Sequence, residues 1–329
     1  MTIQVTIIGL GQIGSSVGLA LGNHKDSILR VGHDRSSDAV DFAQANDVVD
    51  RAAPSLSEAV QDADIILLAL PFHEIYPILG HIAQDLKVNA LVLDTAPLKT
   101  TIISWVKELL PESIHYVGLL PVIGTRYLDQ IEHGPQTAQD DLFKGNLMAL
   151  VTSQTASEEA LNAAVNFVGL LGAIPYFPDP VEIDGVVSMT HLLPQLLAAV
   201  MLDVSQNAPG WQEGRKIAGK AYSQLTNSFT KQDIPQALAA ELTFNQSNIN
   251  RLINDVIRCL VDLRDGETSP GQSEMAERFH QLQAGRTRWL EERQKRSWDG
   301  SGLENLPPKE NILSRMLGFR RPPTQGEDR

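Results

Sequence analysis

A glycine-rich turn close to the first residue restricts the fold of this chain more than any other feature of the sequence. Gly9, Gly11 and Gly14 form the pattern G-x-G-x-x-G directly after the apolar run Ile3–Ile8, and a helix-compatible stretch follows at Ser15–Leu21. The first glycine of such a pattern allows a tight turn, and the second lets the backbone approach a pyrophosphate. The third lets the helix and the strand pack closely. The pattern therefore predicts a dinucleotide site in preference to a glycine-rich turn of another α/β domain.

An acidic residue after the second apolar run, Ile28–Gly32, agrees with this prediction. Asp34 stands about twenty residues beyond the glycines, where a carboxylate accepts hydrogen bonds from both ribose hydroxyls and repels a 2′-phosphate. The free N–H groups and partial positive charge of the helix N-terminus would hold the phosphates. NAD is therefore the expected cofactor, with NADP possible because Arg35 beside Asp34 weakens the preference.

The first half of the chain alternates strand-like and helix-compatible runs. The predicted strands are Gln4–Ile8, Leu29–Gly32, Ile65–Ala69, Ala90–Leu93, Tyr116–Leu119 and Leu147–Val151. The predicted helices between them are Ser15–Leu21, Ala39–Ala45, Leu56–Val60, Ile75–Gln84 and Thr100–Leu109. Such alternation predicts an α/β Rossmann domain over residues 1–180, with a doubly wound, mainly parallel sheet. Leu70 and Pro71 follow a strand at the carboxyl edge, where ligands of these sheets bind.

The pattern changes near residue 180, after which long helical periodicity replaces the strands. The long segments are Ile183–Val204, interrupted by Pro194, then Ala237–Leu263 and Glu274–Arg293. We predict an all-α domain over residues 181–296. Because this domain is so apolar, it is expected to form a homodimer interface. Residues 297–329 are rich in proline, glycine and charge, which predicts a flexible tail.

Composition excludes several classes of partner. A formal charge of −13 over 329 residues argues against nucleic-acid binding and against adhesion to an anionic membrane. No segment reaches the roughly 20 unbroken apolar residues of a membrane helix. The single cysteine, Cys259, fits a reducing cytoplasm, and its apolar helical surroundings predict a place in the core. No cysteine and histidine spacing indicates a metal site.

Several blocks of the sequence resemble the prephenate and arogenate dehydrogenases of tyrosine biosynthesis. The resemblance extends from Gln4 to about Arg293 and includes Asn245. The matching blocks are Ile8–Ser16, Ala69–Pro71, Asp94–Lys99, Gly118–Thr125, and Ile183–Asp184 followed by His191–Gln195. It implies a Rossmann domain, an interlocking helical dimerisation domain, and oxidative decarboxylation of prephenate or arogenate with NAD or NADP. Together with the glycine motif, it predicts cofactor contacts from Gly9, Gly11, Gln12, Ile13, Gly14, Asp34, Leu70, Pro71 and Thr95.

Many polar groups of the family's site are replaced in this chain. In the family, a histidine accepts the hydroxyl proton as the carbonyl forms, and a serine orients it; here these positions are Leu120 and Pro97. The histidine before Asp184 is Ile183, and both histidines of the S-H-L-P-H block are replaced, by Leu192 and Gln195. The family's arginine for a substrate carboxylate has no clear counterpart in Tyr222–Phe229. These combined losses indicate a changed reaction or a changed substrate.

Other residues are candidates to replace the lost groups. Arg126, next to Thr125, could hold a substrate carboxylate through two hydrogen bonds, although a surface loop arginine is the alternative. His191 could accept the proton, with Gln195 on the same helix face binding a substrate oxygen; a core histidine and a helix cap are the alternatives. Lys99 is a catalytic candidate, against support of the helix terminus.

Three hypotheses about function follow from these residues. The first is an NAD-dependent prephenate or arogenate dehydrogenase with a different proton acceptor. The second is an oxidoreductase of the same architecture that acts on a different small carboxylate. The third is a dinucleotide-binding protein that has lost its chemistry and serves as a sensor or a partner subunit. The intact glycine motif favours cofactor binding in all three and does not separate them.

Overall fold

Short apolar runs form one sheet in which nearly all neighbouring strands are parallel. The computed structural model describes residues 2–130, 132–153, 156–229, 234–265 and 272–296. The described strands are β1 (Ile3–Ile8), β2 (Ile28–His33), β3 (Arg51–Ala52), β4 (Ile65–Leu68), β5 (Leu91–Asp94), β6 (His115–Pro121), β7 (Leu147–Val151) and β8 (Ile174–Tyr176). Their order is β3-β2-β1-β4-β5-β6-β7-β8, and among these strands only β6 and β7 pair antiparallel. The chain order reverses at β1, which pairs with both β2 and β4, and ligands of such sheets bind at this reversal.

Helices cover this sheet and explain why its central strands are buried and mostly apolar. Strands β1, β4 and β5 are buried along their whole length, as expected where helices pack on both faces. The helices are α1 (Gln12–Leu21), α2 (Ser37–Ala45), α3 (Leu56–Val60), α4 (Phe72–Ile82), α5 (Lys99–Leu109) and α6 (Glu158–Leu170). Serine side chains cap α2, α3 and α6 by accepting a backbone N–H of the first turn. The predicted Rossmann fold class is confirmed.

A buried arginine on β2 binds α1 and the segment that precedes β3. Arg30 is fully buried, and its Nη2 lies 2.6 Å from Asp50 Oδ1. Its Nη1 donates to the carbonyls of Gly18, at 3.0 Å, and Asp47, at 2.8 Å. These bonds satisfy a guanidinium that would otherwise be costly to bury, and they hold α1 against β2.

The chain after the sheet is helical, as predicted. The described residues divide into two compact units, of which the first ends at Ile183 and the second begins at Asp184. The helices are α7 (Pro180–Val187), α8 (Leu193–Gln206), α9 (Trp211–Ile217), α10 (Lys220–Thr226), α11 (Ile234–Phe244), α12 (Gln246–Asp265) and α13 (Gln272–Lys295). The predicted flexible tail, residues 297–329, lies outside the described residues.

Pro194 does not interrupt its helix, contrary to the prediction. Proline has no backbone N–H, and a π-helical turn, Ser188–Leu192, joins α7 to α8 before it. The continuous helix Pro180–Gln206 has 27 residues and is long and apolar enough, by length and composition, to cross a membrane. The sequence has no unbroken apolar run of roughly 20 residues here, because Asp184, His191 and Asp203 interrupt it, so the sequence analysis did not predict a helix of this kind.

The structure differs from the sequence predictions at several other elements. The sequence analysis missed β3, β8 and α6. Strand β8 is a three-residue edge strand that contains Pro175, and proline weakens a strand pattern. The helix predicted over Ala237–Leu263 is two helices that meet at Asn245, whose side chain donates to Ser188 Oγ at 2.5 Å. Cys259 is exposed and does not lie in the core.

One buried carboxyl in the helical unit predicts a pH-dependent stability. Glu241 on α11 is 3% exposed, and burial raises its pKa from 4.5 to about 7. Because the pKa of Glu241 is higher in the folded state, the contribution of this carboxyl to the free energy of unfolding is at its full value below pH 4.5. It decreases as the pH rises towards 7, by about 3 kcal/mol in all. We expect Glu241→Gln to be more stable than the parent at pH 8 and similar at pH 4.5, measured by urea unfolding.

The matched control for this measurement is Glu213→Gln, since the Glu213 side chain is 79% exposed. In that variant, the difference in unfolding free energy between pH 4.5 and pH 8 should be the same as in the parent. An equal pH dependence in the parent and in Glu241→Gln would contradict the prediction.

Candidate functional site

The ends of four neighbouring strands meet at the carboxyl edge of the sheet. Backbone hydrogen bonds join them: Gly9 N donates to His33 O at 2.9 Å, and Ala69 N donates to Ile8 O at 2.8 Å. Thr95 N donates to Leu68 O at 3.0 Å. The structure thus brings all the residues predicted to contact the cofactor to the ends of β1, β2, β4 and β5. These residues are Gly9, Gly11, Gln12, Ile13, Gly14, Asp34, Leu70, Pro71 and Thr95. That they bind a cofactor stays a prediction.

The three glycines of the turn are needed for different reasons. Gly9 has a φ of +95°, and a Cβ there would lie 2.4 Å from the backbone oxygen of Ala69. A Cβ at Gly14 would lie 1.9 Å from the backbone oxygen of Gly9. In contrast, a Cβ at Gly11 would meet nothing within 4 Å. Packing therefore explains Gly9 and Gly14, whereas Gly11 borders open space that a ligand can occupy.

The first turn of α1 begins beside this open space and has no side-chain cap. Gly11 is the N-cap of α1 and provides no side-chain hydrogen bond, and the first turn carries no acidic residue. The initial N–H groups of a helix have no partner within the helix and carry the positive end of its dipole. This geometry suits a phosphate group.

Asp34 is oriented by two backbone groups. Its Oδ2 accepts the N–H of Leu10 at 2.7 Å, and its Oδ1 accepts the N–H of Ser36 at 2.8 Å. Each carboxylate oxygen has a further lone pair, and the side chain is only half-buried. The carboxylate is thus bound to the glycine turn and can still accept hydrogen bonds from a sugar.

A segment between β6 and β7 packs on the start of α1, which the sequence analysis did not foresee. Gln12 Nε2 donates to Gln130 Oε1 at 3.2 Å and lies 3.4 Å from the carbonyl of Thr137. Gln139 N donates to Ser16 Oγ at 3.0 Å. The side chain of Gln12 therefore contacts protein. No local pattern marks these contacts, because more than one hundred residues separate the partners.

The structure places Lys99, a catalytic candidate, in a buried ion pair, and its catalytic role stays a prediction. Its ammonium is buried, and Nζ lies 2.7 Å from Asp94 Oδ1. Asp94 is fully buried and also accepts the hydroxyl of Tyr116 at 2.6 Å and the N–H of Ala96 at 2.9 Å. A Cβ at Gly118 would lie 2.7 Å from Lys99 Cδ, so the stem of the lysine passes closely over β6. Lys99 supports the junction of β5 and α5 through a buried ion pair.

Arg126 already binds a carboxylate of the chain. It lies in the 3-10 turn Thr125–Tyr127, where Nη2 donates to the Asp141 carboxylate and the Tyr127 hydroxyl. Its guanidinium stands over the ring of Tyr127, 4.6 Å from the centroid. The side chain is 62% exposed, so a dissolved carboxylate can reach it. Substrate binding by Thr125 and Arg126 stays a prediction, and a substrate would have to compete with Asp141.

His191 and Gln195 form the pair expected on one helix face. His191 is exposed in the π-helical turn, and Gln195 Nε2 lies 3.1 Å from His191 Nε2. The same amide donates to the His191 carbonyl at 3.1 Å. The exposure of His191 argues against the alternative of a core histidine. Its catalytic role and the substrate contact of Gln195 stay predictions.

The substituted family positions carry no proton acceptor. Leu120 lies near the end of β6, opposite Ala149 of β7, and is half-buried. Pro97 lies between β5 and α5 and is also half-buried. Within the described part of the chain, no group of three or more histidine, cysteine, aspartate or glutamate side chains could hold a metal ion.

Comparison with known proteins identifies the first unit. Residues 17–176 match the family model described as prephenate dehydrogenase, nucleotide-binding domain. The chain is 26% identical over 195 residues to cyclohexadienyl dehydrogenase of Zymomonas mobilis, covering 59% of this chain and 64% of that protein. It is 25% identical over 201 residues to prephenate dehydrogenase of Bacillus subtilis, covering 60% and 52%. The matches thus span between half and two-thirds of these relatives.

Solved structures share the fold along most of the chain. A prephenate dehydrogenase of Aquifex aeolicus, solved with hydroxyphenyl propionate and NAD⁺, is 18% identical with a TM-score of 0.73, covering 88% of this chain and 98% of its own. Synechocystis arogenate dehydrogenase is 22% identical with a TM-score of 0.66, covering 87% and 100%. The first unit is thus similar to the nucleotide-binding domain of prephenate dehydrogenases, and the solved structures show that the fold is shared.

The ion pair of Lys99 predicts a loss of stability when the lysine is removed. Lys99→Met keeps the apolar stem but leaves Asp94 buried without its cation, so we expect a destabilisation of about 3 kcal/mol in urea unfolding. Lys107→Met, on the exposed side of the same helix, is the matched control and should change stability little. A Lys99→Met protein as stable as the control would contradict the structural role.

Proposed function

We propose that this protein is an NAD-dependent dehydrogenase that oxidatively decarboxylates prephenate or arogenate in tyrosine biosynthesis. The observation that carries the proposal is the space beside Gly11, where a Cβ would meet no protein atom within 4 Å. Gly11 is the N-cap of α1, and the carboxylate of Asp34 is bound to the N–H of the preceding residue, Leu10. The match of residues 17–176 to the nucleotide-binding domain of prephenate dehydrogenases supports this class of reaction.

Each part of the edge has a task in this proposal. The N–H groups at the start of α1 bind the pyrophosphate, and Asp34 accepts hydrogen bonds from the adenosine ribose. When bound, NAD supplies the hydride acceptor. The hydride leaves the ring carbon that bears the hydroxyl while carbon dioxide departs, and the hydroxyl proton must pass to a base.

His191 is the residue that we propose as this base. Leu120, at the position of the family's histidine, cannot accept a proton, whereas an imidazole can do so near neutral pH. Gln195 lies 3.1 Å from the ring and would restrict its orientation. Arg126, with Thr125 beside it, would bind the substrate carboxylate in exchange for Asp141.

A second function is favoured by the substituted positions themselves. Leu120 and Pro97 remove a base and a hydroxyl from the substrate side, while the cofactor side keeps its glycines and Asp34. An oxidoreductase of the same architecture acting on a different small carboxylate would show this combination. A dinucleotide-binding protein without catalytic activity would show it as well.

We further propose that the protein is a homodimer of the cytoplasm, formed through the helical unit. Large apolar side chains are exposed on α12 and α13, including Ile257, Leu260, Phe279, Leu282 and Trp289. Exposed apolar surface of this extent is typical of an interface. We assign the apolar helix Pro180–Gln206 to the same interface and not to a membrane, because Asp184 and Asp203 would be costly in a bilayer.

The test of the proposed reaction uses purified protein, NAD and either prephenate or arogenate. We expect growth of the absorbance of reduced nicotinamide with one of the two substrates. His191→Ala should lower kcat by a factor of about 10² to 10⁴, the usual contribution of a general base, whereas Leu120→Ala should retain turnover. Gly11→Ala should fold normally, because its methyl group meets no protein atom, but should bind NADH at least about tenfold more weakly.

Two results would contradict the proposal in different ways. NADH binding without turnover of either substrate would exclude prephenate and arogenate and leave the second function. If the parent protein binds neither NADH nor NADPH in calorimetry, both the proposed function and its alternative are wrong.

The proposed dimer predicts a mass of twice the 36.0 kDa chain in sedimentation equilibrium. Leu282→Glu places a charge on a side chain that is 65% exposed and apolar, and we expect it to yield monomer. Gln281→Glu adds the same charge at the neighbouring exposed polar position and should remain dimeric. A monomeric parent protein would contradict the dimer.

A further inference from the structure

An ion pair crosses the carboxyl edge beside Asp34. Arg35, the next residue after Asp34, places Nη1 2.5 Å from Oε1 of Glu74. Arg35 follows β2, and Glu74 lies in the first turn of α4, which follows β4. Because β2 and β4 lie on either side of β1, the pair joins the two flanks of the glycine turn. It therefore stands next to the position proposed for the adenosine ribose.

The glutamate is the more firmly held partner of this pair. The Glu74 side chain is only 19% exposed, and its backbone N–H donates to Pro71 O at 2.9 Å. The start of α4 favours a negative charge there, and His73 Nε2 lies 3.8 Å from Glu74 Oε1. The Arg35 side chain is 67% exposed. Without Glu74, this guanidinium would be held less and would be near enough to Asp34 to reach the ribose.

A 2′-phosphate on that ribose needs a cation. Dinucleotide sites that accept NADP commonly use an arginine close to the acidic residue, whereas NAD sites use the carboxylate alone. Here the guanidinium is paired with Glu74, and a second carboxylate, that of Asp34, belongs to the adjacent residue. A 2′-phosphate would have to draw Arg35 away from Glu74 and leave a half-buried carboxylate beside a dianion.

We propose that Glu74 determines cofactor choice by holding Arg35 in this ion pair. Glu74 is a positioning residue: it keeps the arginine from the 2′-phosphate, and the site selects NAD although an arginine follows Asp34. This inference rests on the proposed function only in that a nicotinamide dinucleotide binds at the glycine turn. It does not depend on which substrate is oxidised.

The test compares the affinities of NADH and NADPH for the full chain by calorimetry or fluorescence. Glu74→Gln should strengthen NADPH binding about tenfold, as expected for one new charge-assisted contact, and should change NADH binding by less than about twofold. Glu112→Gln removes the same charge at an exposed position before β6, at the opposite edge of the sheet, and should leave both affinities unchanged.

The double variant Glu74→Gln/Arg35→Ala should lose the gain in NADPH binding, because the gain requires the guanidinium. Arg35→Ala alone provides a test that does not depend on the folding of Glu74→Gln. It should alter NADPH affinity by less than about twofold, since Arg35 is already bound by Glu74.

Three results would overturn the inference. The first is an unchanged preference for NADH in a folded Glu74→Gln protein that binds NADH as the parent does. The second is a several-fold loss of NADPH affinity in Arg35→Ala, which would show that Arg35 reaches the phosphate despite Glu74. In both cases the proposed function stands. If the parent binds neither cofactor, the inference and the proposed function are both wrong.

Discussion

The tight contact between the turn after β1 and the end of β4 is the constraint on which the candidate site depends. At Gly9 and Gly14 the backbone oxygens of neighbouring residues occupy the space of a side chain. The turn therefore has little freedom, and α1 must begin beside the open space at Gly11. Asp34 is held to the same turn through the N–H of Leu10. The groups that we propose to bind the phosphates and the ribose are thus organised by packing before any ligand arrives.

Several charged side chains of this unit form ion pairs with one another. Lys99 pairs with Asp94 in the core, Arg126 pairs with Asp141 on the surface, and Arg35 pairs with Glu74 across the edge. The buried pair supports the fold, because separating it would leave an uncompensated charge. The exposed pairs contribute little to stability and can exchange partners, which makes them suited to ligand selection. The burial of each pair therefore decides how much it contributes to stability.

Much of the fold could be predicted because its signals are local. Apolar runs of four to seven residues gave the six longer strands, and the glycine spacing placed the first helix. The missed elements had weak or conflicting patterns: β8 contains Pro175, and β3 has two residues. Pro194 was expected to interrupt a helix, but a π-helical turn accommodates it. Cys259 was assigned to the core because an apolar helix face does not reveal whether the same chain covers it.

The sequence by itself determined the Rossmann class, the position of the glycine turn and the acidic residue after β2. These depend on the backbone freedom of glycine and on the periodicity of apolar residues, both of which are properties of short segments. Only the tertiary structure decided which charges meet: Glu74 lies 39 positions from Arg35, and Gln130 lies 118 from Gln12. It also decided that Lys99 is buried against Asp94. The physical reason is that the role of a charged side chain depends on its partner and its exposure to water, and folding sets both through contacts that no local pattern contains.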